Sequence, residues 1–115
     1  MTLTRFFKCL SDETRLRCLI LLYRQGELCV CELTQALDLA QPKISRHLAQ
    51  LRQCGLLNDE RRGQWVYYKI NPELPDWANK VLELSAEAFE KEERYQMDQQ
   101  RLSSMTNRPA DTICC

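Results

Sequence analysis

The sequence predicts a mainly α-helical fold with one β-hairpin, organised as a winged helix-turn-helix. Three observations predict it. Two short helical patterns are joined by a three-residue connection. A strand-turn-strand pattern follows the second of them directly. Apolar stripes at helical spacing flank this unit on both sides.

The elements can be justified in order. Leu3, Phe6, Phe7 and Leu10 recur at helical spacing and predict a short first helix. Ser11 reads as the N-cap of a second helix, with Asp12 and Glu13 near its positive end. Leu16, Leu19, Ile20 and Tyr23 form the stripe of that helix, and Gly26 its C-cap. A third helix is expected over residues 30–37. Asp38-Leu39-Ala40 is a tight connection. A fourth helix begins near Pro42, a residue suited to the first helical position, and ends at Gly55, with Ile44, Leu48 and Leu51 facing inward. Leu57 to Glu60 and Trp65 to Ile70 then read as two strands around the turn Arg61-Arg62-Gly63-Gln64. A hairpin in that position is a wing.

From about Pro75 a long helix is expected, with Trp77, Val81, Leu84 and Ala88 on one stripe. Ala78, Leu82 and Phe89 widen that stripe beyond what one small domain needs. Residues 1–101 are expected to form a single DNA-binding and dimerisation domain. Residues 102–115 read as a flexible tail ending in Cys114 and Cys115.

Length and composition bound the function. A chain of 115 residues with 44% hydrophobic and 28% charged residues suits one modest globular core. No apolar run approaches the roughly 18 residues of a membrane span. The opening Met1-Thr2-Leu3-Thr4-Arg5 lacks the apolar stretch of a signal peptide. A cytoplasmic protein with no membrane partner is expected. Its 7 cysteines are odd in number, and in a reducing cytosol they are expected to stay free for burial or ligation. No nucleophile–base constellation and no phosphate loop is present, so neither an enzyme nor a catalytic cofactor is expected.

The formal net charge is +0, but its distribution is polarised. Lys43, Arg46, Arg52, Arg61, Arg62 and Lys69 make the middle basic. The segment after Pro72 is dominated by acids. A basic middle can meet the phosphates of double-stranded DNA. On a wheel of about 100° per residue, the fourth helix turns Arg46, Ala49, Gln50 and Gln53 away from the core. Lys43 and Ser45 lie on the flanks, and Gln41 at the N-terminal end. Gln41, Lys43, Ser45 and Arg46 are therefore the expected base or near-base contacts. Arg61 and Arg62 at the wing tip are the expected phosphate contacts. His47, the single histidine, falls toward the core side of the wheel. It reads either as a phosphate contact or as a packed imidazole, and no second histidine exists to join it on a metal.

Cys29-Val30-Cys31 is the sharpest motif. It is not the Cys-x-x-Cys of zinc knuckles or redox centres. Two neighbouring thiolates form a soft site for thiophilic ions. The pair stands at the mouth of the first helix of the helix-turn-helix. On an intact helix residues i and i+2 lie about 200° apart, so one ion could join both sulfurs only by unwinding the helix start. The helix N-terminus is also expected to lower the thiol pKa. Cys9, Cys18 and Cys54 fall within helices and read as packing residues.

The chain resembles the ArsR family of arsenic-responsive repressors, over about Phe6 to Glu90. The resemblance is carried by Leu10-Ser11-Asp12-Glu13-Thr14-Arg15, by Glu27 to Leu33, by Gln41-Pro42-Lys43-Ile44-Ser45-Arg46-His47-Leu48 and by Gly63-Gln64-Trp65-Val66-Tyr67-Tyr68. It implies a homodimer formed through the first and last helices, an inverted-repeat operator in an arsenic-resistance operon, and arsenite or antimonite as inducer at Cys29 and Cys31. Well-known members carry a third cysteine where this chain has Thr34. Cys114, Cys115, Cys54 or an outside thiol are the candidates for a third ligand, and the tail pair could instead form its own site. Zinc-sensing relatives use histidines on the last helix, and Pro75 to Arg101 contains none. Cadmium- and lead-sensing relatives add cysteines from a long N-terminal arm that is not seen here. The competing reading is a thiol redox switch on the same winged helix, with Cys29 and Cys31 or the tail pair oxidising.

Overall fold

The computed structural model describes residues 1–105, so Cys114 and Cys115 lie outside the described residues. Among the described residues six helices and three strands follow the order α1 (Leu3–Leu10), α2 (Glu13–Gln25), β1 (Glu27–Cys29), α3 (Val30–Leu37), α4 (Gln41–Gln53), β2 (Leu57–Arg62), β3 (Trp65–Ile70), α5 (Asp76–Phe89) and α6 (Glu93–Ser103). No helix among the described residues is long and apolar enough to cross a membrane.

Helix α2 is the centre of the molecule. Leu19, Ile20, Leu21 and Leu22 are all fully buried, so apolar side chains point every way and not along a single stripe. Such a helix must be surrounded, and α1, α3, α4, α5 and the sheet do surround it. Its N-cap is Asp12, one residue later than expected: the Asp12 carboxylate accepts the Arg15 N–H at 3.0 Å. Ser11 serves the preceding helix, its hydroxyl donating to the Lys8 carbonyl at 2.8 Å. Gly26 closes α2 with φ of 90°, a conformation that favours glycine.

The helix-turn-helix is α3 and α4. Asp38 ends α3 in the left-handed region with φ of 56°, where a short polar side chain is tolerated, and this turns the chain within Asp38-Leu39-Ala40. Pro42 lies in the first turn of α4. Ile44, Leu48 and Leu51 are fully buried, as their spacing predicts. Strands β2 and β3 pair antiparallel from Leu57↔Ile70 to Arg62↔Trp65 and form the wing. A third strand goes beyond the hairpin that the sequence pattern predicts: β1 pairs antiparallel with β3 through Glu27↔Lys69, Leu28↔Tyr68 and Cys29↔Tyr67. The sheet order β1-β3-β2 therefore ties the start of α3 to the wing.

The long last helix expected from Pro75 is two helices, α5 and α6, separated at residues 90–92. The break lets two stripes reach one core. Ala78, Leu82, Ala86 and Phe89 are buried on α5, and Tyr95, Asp98 and Leu102 on α6. Positions 89 and 95 would sit about 240° apart on a continuous helix. Across the break their rings meet edge to face at 5.8 Å. Helix α6 packs along α3. Between them lies a buried ionic cluster. Arg17 donates to both oxygens of Asp98 at 2.8 and 2.6 Å, and Arg101 donates to Asp98 at 2.8 Å. The same two arginines donate to the last carbonyls of α3, Arg17 to Leu37 at 2.9 Å and Arg101 to Ala36 at 2.8 Å. The C-terminal end of α3 is thus pinned to α2 and α6.

The expectation of free packing cysteines needs correction. Cys18 is fully buried, as expected, and burial pushes its thiol up to about 12. Cys9 and Cys54 are instead joined in a disulfide, with Cα atoms 6.8 Å apart. Cys54 is the C-cap of α4, not an interior residue. It meets Cys9 because α1 lies beside the end of α4, where Arg5 donates to the Gln53 carbonyl at 2.9 Å.

Candidate nucleic-acid interface and thiol site

Helix α4 presents the expected surface. Gln41, Lys43, Arg46, Gln50 and Gln53 are exposed, while Ser45 and Ala49 are half-buried. Lys43 and Arg46 have no acidic partner among the described residues, so their charge is available to phosphate or base. His47 is not part of this face. It is 9% exposed and packs under the start of α2, its Nδ1 3.9 Å from the Asp12 carboxylate. Burial lowers its pKa, with Arg15, Arg46 and Lys43 adding to the effect and Asp12 opposing it. A neutral, packed imidazole follows.

The wing arginines differ from one another. Arg61 is exposed and has no acidic partner among the described residues. Arg62 is turned back onto the sheet. It donates to both oxygens of Glu27 at 2.7 and 2.8 Å, bonds Glu60 at 3.1 Å, and stacks over the Tyr67 ring at 4.6 Å. It therefore clasps β1 to the wing across β3. Sequence periodicity missed a further basic group beside α4. Arg15 at the start of α2 donates to Gln50 at 3.0 Å, and Arg5 and Lys8 stand next to it on α1. Their i, i+3 spacing on α1 was the available signal.

The thiol pair has a geometry that the helical wheel did not anticipate. Cys29 precedes the helix: it is the last residue of β1 and the N-cap of α3, with φ of −87° and ψ of 167°. Only Cys31 is helical. The extended backbone at Cys29 swings its side chain round, and the two sulfurs stand 2.8 Å apart with α3 intact. The expected unwinding is not needed to bring them together. The error lay in placing both residues on one helix.

Cys29 and Glu32 form the two sides of a capping box, and the buried Glu32 carboxylate accepts the Cys29 N–H at 2.9 Å. The signal was in the sequence as Cys29-x-x-Glu32, with cysteine where serine or threonine usually stands. The thiol pKa also differs from expectation. Burial pushes Cys29 up and the Glu32 charge adds to it, outweighing the pull of the Glu32 and Cys31 N–H groups. The helix N-terminus is present, but its effect is smaller than the cost of a buried anion. Thr34 turns away from any ligand role, its hydroxyl donating to the Val30 carbonyl at 2.8 Å. Cys54, one of the candidates for a third ligand, is committed to Cys9. No group of three or more histidine, cysteine or acidic side chains among the described residues could hold a metal ion.

The pair's surroundings matter as much as its distance. A cleft of about 120 Å³ is lined by Cys29 and Val30, by Gln41 at the start of α4, and by Gln64, Trp65 and Val66 of the wing. The thiol site thus touches both the start of α4 and the wing.

A helix-turn-helix with an exposed basic second helix and an antiparallel wing defines a winged-helix DNA-binding protein. Comparison with known proteins agrees. Residues 12–59 match the bacterial regulatory protein, arsR family. The chain is 53% identical over 109 residues to the arsenic resistance transcriptional regulator ArsR1 of Pseudomonas putida, covering 95% of this chain and 84% of that protein. It is 56% identical over 79 residues to the arsenical resistance operon repressor of Escherichia coli, covering 69% and 68%. Among solved structures, HlyU from Vibrio cholerae matches at 32% identity and a TM-score of 0.67, over 75% of this chain and 86% of that one. The AntR antimony-specific transcriptional repressor matches at 32% identity and a TM-score of 0.63, over 75% of each chain. The chain belongs to the arsR family of bacterial regulatory proteins.

Proposed function

We propose that the protein is a cytoplasmic, homodimeric repressor of an arsenic-resistance operon, released from its operator when trivalent arsenic or antimony binds Cys29 and Cys31. The observation that carries this reading is the 2.8 Å approach of the two sulfurs at the junction of β1 and α3. The names of the relatives support the inducer class.

The chemistry is a condensation. Arsenous acid is neutral at ordinary pH. In the reduced protein each of the two thiols replaces one hydroxyl, its proton leaving with that hydroxyl as water, and a third hydroxyl remains or yields to another thiol. An atom bonded to both sulfurs must push them apart. The far end of α3 is pinned by Arg17 and Arg101, so the displacement falls on the near end. There Cys29 is paired with Tyr67 in the wing. The wing then shifts relative to α4, and a duplex that needs both in register is released. By linkage, operator DNA weakens inducer binding by the same factor.

The test is an arsenite titration of the operator complex, followed by fluorescence anisotropy. Cys29→Ser/Cys31→Ser is expected to bind operator normally and to need at least about a hundredfold more arsenite for release. Cys114→Ser/Cys115→Ser tests the tail beside it. Loss of response only in the tail variant would overturn the assignment.

The reading surface makes its own prediction. Arg46→Ala is expected to weaken operator binding by about tenfold or more and to relax base preference. Arg61→Ala is expected to reduce the salt slope by about one, as loss of a phosphate contact does. Arg62→Ala is expected to change that slope less, because Glu27 and Glu60 already offset its charge. Affinity measured at two or more salt concentrations separates the three. Equal slopes for wild type and Arg61→Ala would remove the wing tip from the interface.

A further inference from the structure

Cys9 and Cys54 form a second thiol site, distant in function from Cys29 and Cys31. Three facts mark it. The two residues are 45 positions apart in sequence and bonded in the fold. Their approach is built by other groups: Arg15 donates to the Cys9 carbonyl at 2.7 Å and to Gln50 on α4 at 3.0 Å, and Arg5 reaches the Gln53 carbonyl. These contacts join α1, α2 and α4 around the pair in addition to the covalent bond. Finally, the pair lies in an open cleft of about 330 Å³ whose other lining residues are Arg5, Lys8, Arg15, Gln50 and Gln53. Three cations and no acid line it. A neutral oxidant gains nothing from such a wall, whereas an anionic one is concentrated there.

We propose that Cys9 and Cys54 are a reversible dithiol–disulfide site whose exchange partner is an anionic low-molecular-weight disulfide, drawn in by Arg5, Lys8 and Arg15. Cys54 is half-buried while Cys9 is 8% exposed, so Cys54 is the attacking group. Its thiolate attacks one sulfur of the small disulfide. That S–S bond breaks, a mixed disulfide forms on Cys54, and one small thiolate leaves. The Cys9 thiolate then attacks the Cys54 sulfur, closing the intramolecular bond and expelling the second small thiolate. The protein dithiol loses two electrons and the small disulfide gains them. The two protons given up by Cys9 and Cys54 end on the two small thiols. An excess of the same small thiol reverses each step.

The site stands where its state can be read. The closed bond ties α1 to the C-terminal end of α4, whose exposed face carries Gln50 and Gln53 into the same cleft. Operator phosphates and the anionic disulfide meet the same cations, so bound DNA protects the pair from exchange.

The test uses the full chain, reduced and then exposed to glutathione disulfide, to the neutral bis(2-hydroxyethyl) disulfide or to the cationic cystamine. Remaining thiols are alkylated, and Cys9 and Cys54 are located by peptide mass mapping. A Cys9–Cys54 cross-linked peptide is expected, at least tenfold faster with glutathione disulfide than with cystamine. Lys8→Gln, which leaves the Arg5 and Arg15 contacts in place, is expected to narrow that difference while the far-ultraviolet dichroism stays unchanged. Cys9→Ser is expected to stop at a mixed disulfide on Cys54, which shows the order of attack even if the cross-link itself cannot form. Full alkylation of both cysteines after exposure to all three reagents would overturn the site. Equal rates with the anionic and cationic reagents would overturn the proposed partner class.

Discussion

Replacing Asp98 with alanine is expected to cost about 3–5 kcal/mol of folding stability, the loss seen when one partner of a buried ion pair is removed. Asp98 is fully buried and Arg17 is 3% exposed. Removal of the carboxylate strands the Arg17 guanidinium without its counter-charge and frees Arg101, which is half-buried. The damage also reaches α3, because both arginines hold its final carbonyls. Asp98→Asn is expected to recover part of the loss, since an amide still accepts from Arg17. Urea unfolding followed by circular dichroism measures both. A loss of less than about 1 kcal/mol for Asp98→Ala, the range of a surface pair, would mean that the cluster does not anchor α6.

The second large effect concerns assembly. Leu3, Phe7, Trp77 and Leu84 are 57%, 47%, 37% and 63% exposed. They lie on α1 and α5, and Phe6 joins the two helices by touching the Phe7 ring at 5.4 Å and the Trp77 ring at 5.0 Å. This face accounts for the apolar positions on the Trp77 stripe that exceed what one domain can bury. It also refines which helices would make a homodimer: α1 and α5, because α6 spends its apolar stripe on α3. Leu84→Glu is expected to give a folded monomer. Its affinity for a two-half-site operator should fall by about 10²–10⁴, the avidity that linked sites supply. Affinity for an isolated half-site should stay the same. Sedimentation and anisotropy with both duplexes decide the matter, and a variant that sediments as a dimer would remove this face from the interface.

Much of the fold was legible because it is periodic. Ile44, Leu48 and Leu51 announce α4, and the β-branched and aromatic run from Trp65 announces β3. The misses share a physical origin. Strand β1 is three residues long, too short to show alternation. The α5–α6 break has no glycine or proline to mark it; only the spacing of Tyr95, Asp98 and Leu102 hinted at a new stripe. The Cys9–Cys54 bond is a long-range contact, and nothing local encodes it. The motif Cys29-x-Cys31 is plain in the sequence, but its geometry is not. One dihedral pair, the extended backbone of Cys29, decides whether the sulfurs diverge or meet, and a wheel cannot represent it. His47 was placed correctly by the wheel's angle when read as a packed imidazole. The structure gives no support to its other reading as a phosphate contact.

The raised thiol of Cys29 has one more consequence, in proton stoichiometry. A divalent cation binds thiolates, so it must first discharge their protons to solvent, and its affinity climbs with pH. A buried, reluctantly ionising sulfur enlarges that toll at neutrality. Arsenous and antimonous acids bring their own hydroxyls to take up those protons, and their affinity is nearly flat with pH. Under the proposed function, the burial of a single cysteine beside an acidic residue acts as a filter. It penalises ions that arrive bare and admits those that arrive hydroxylated, before any difference in size or coordination number is felt.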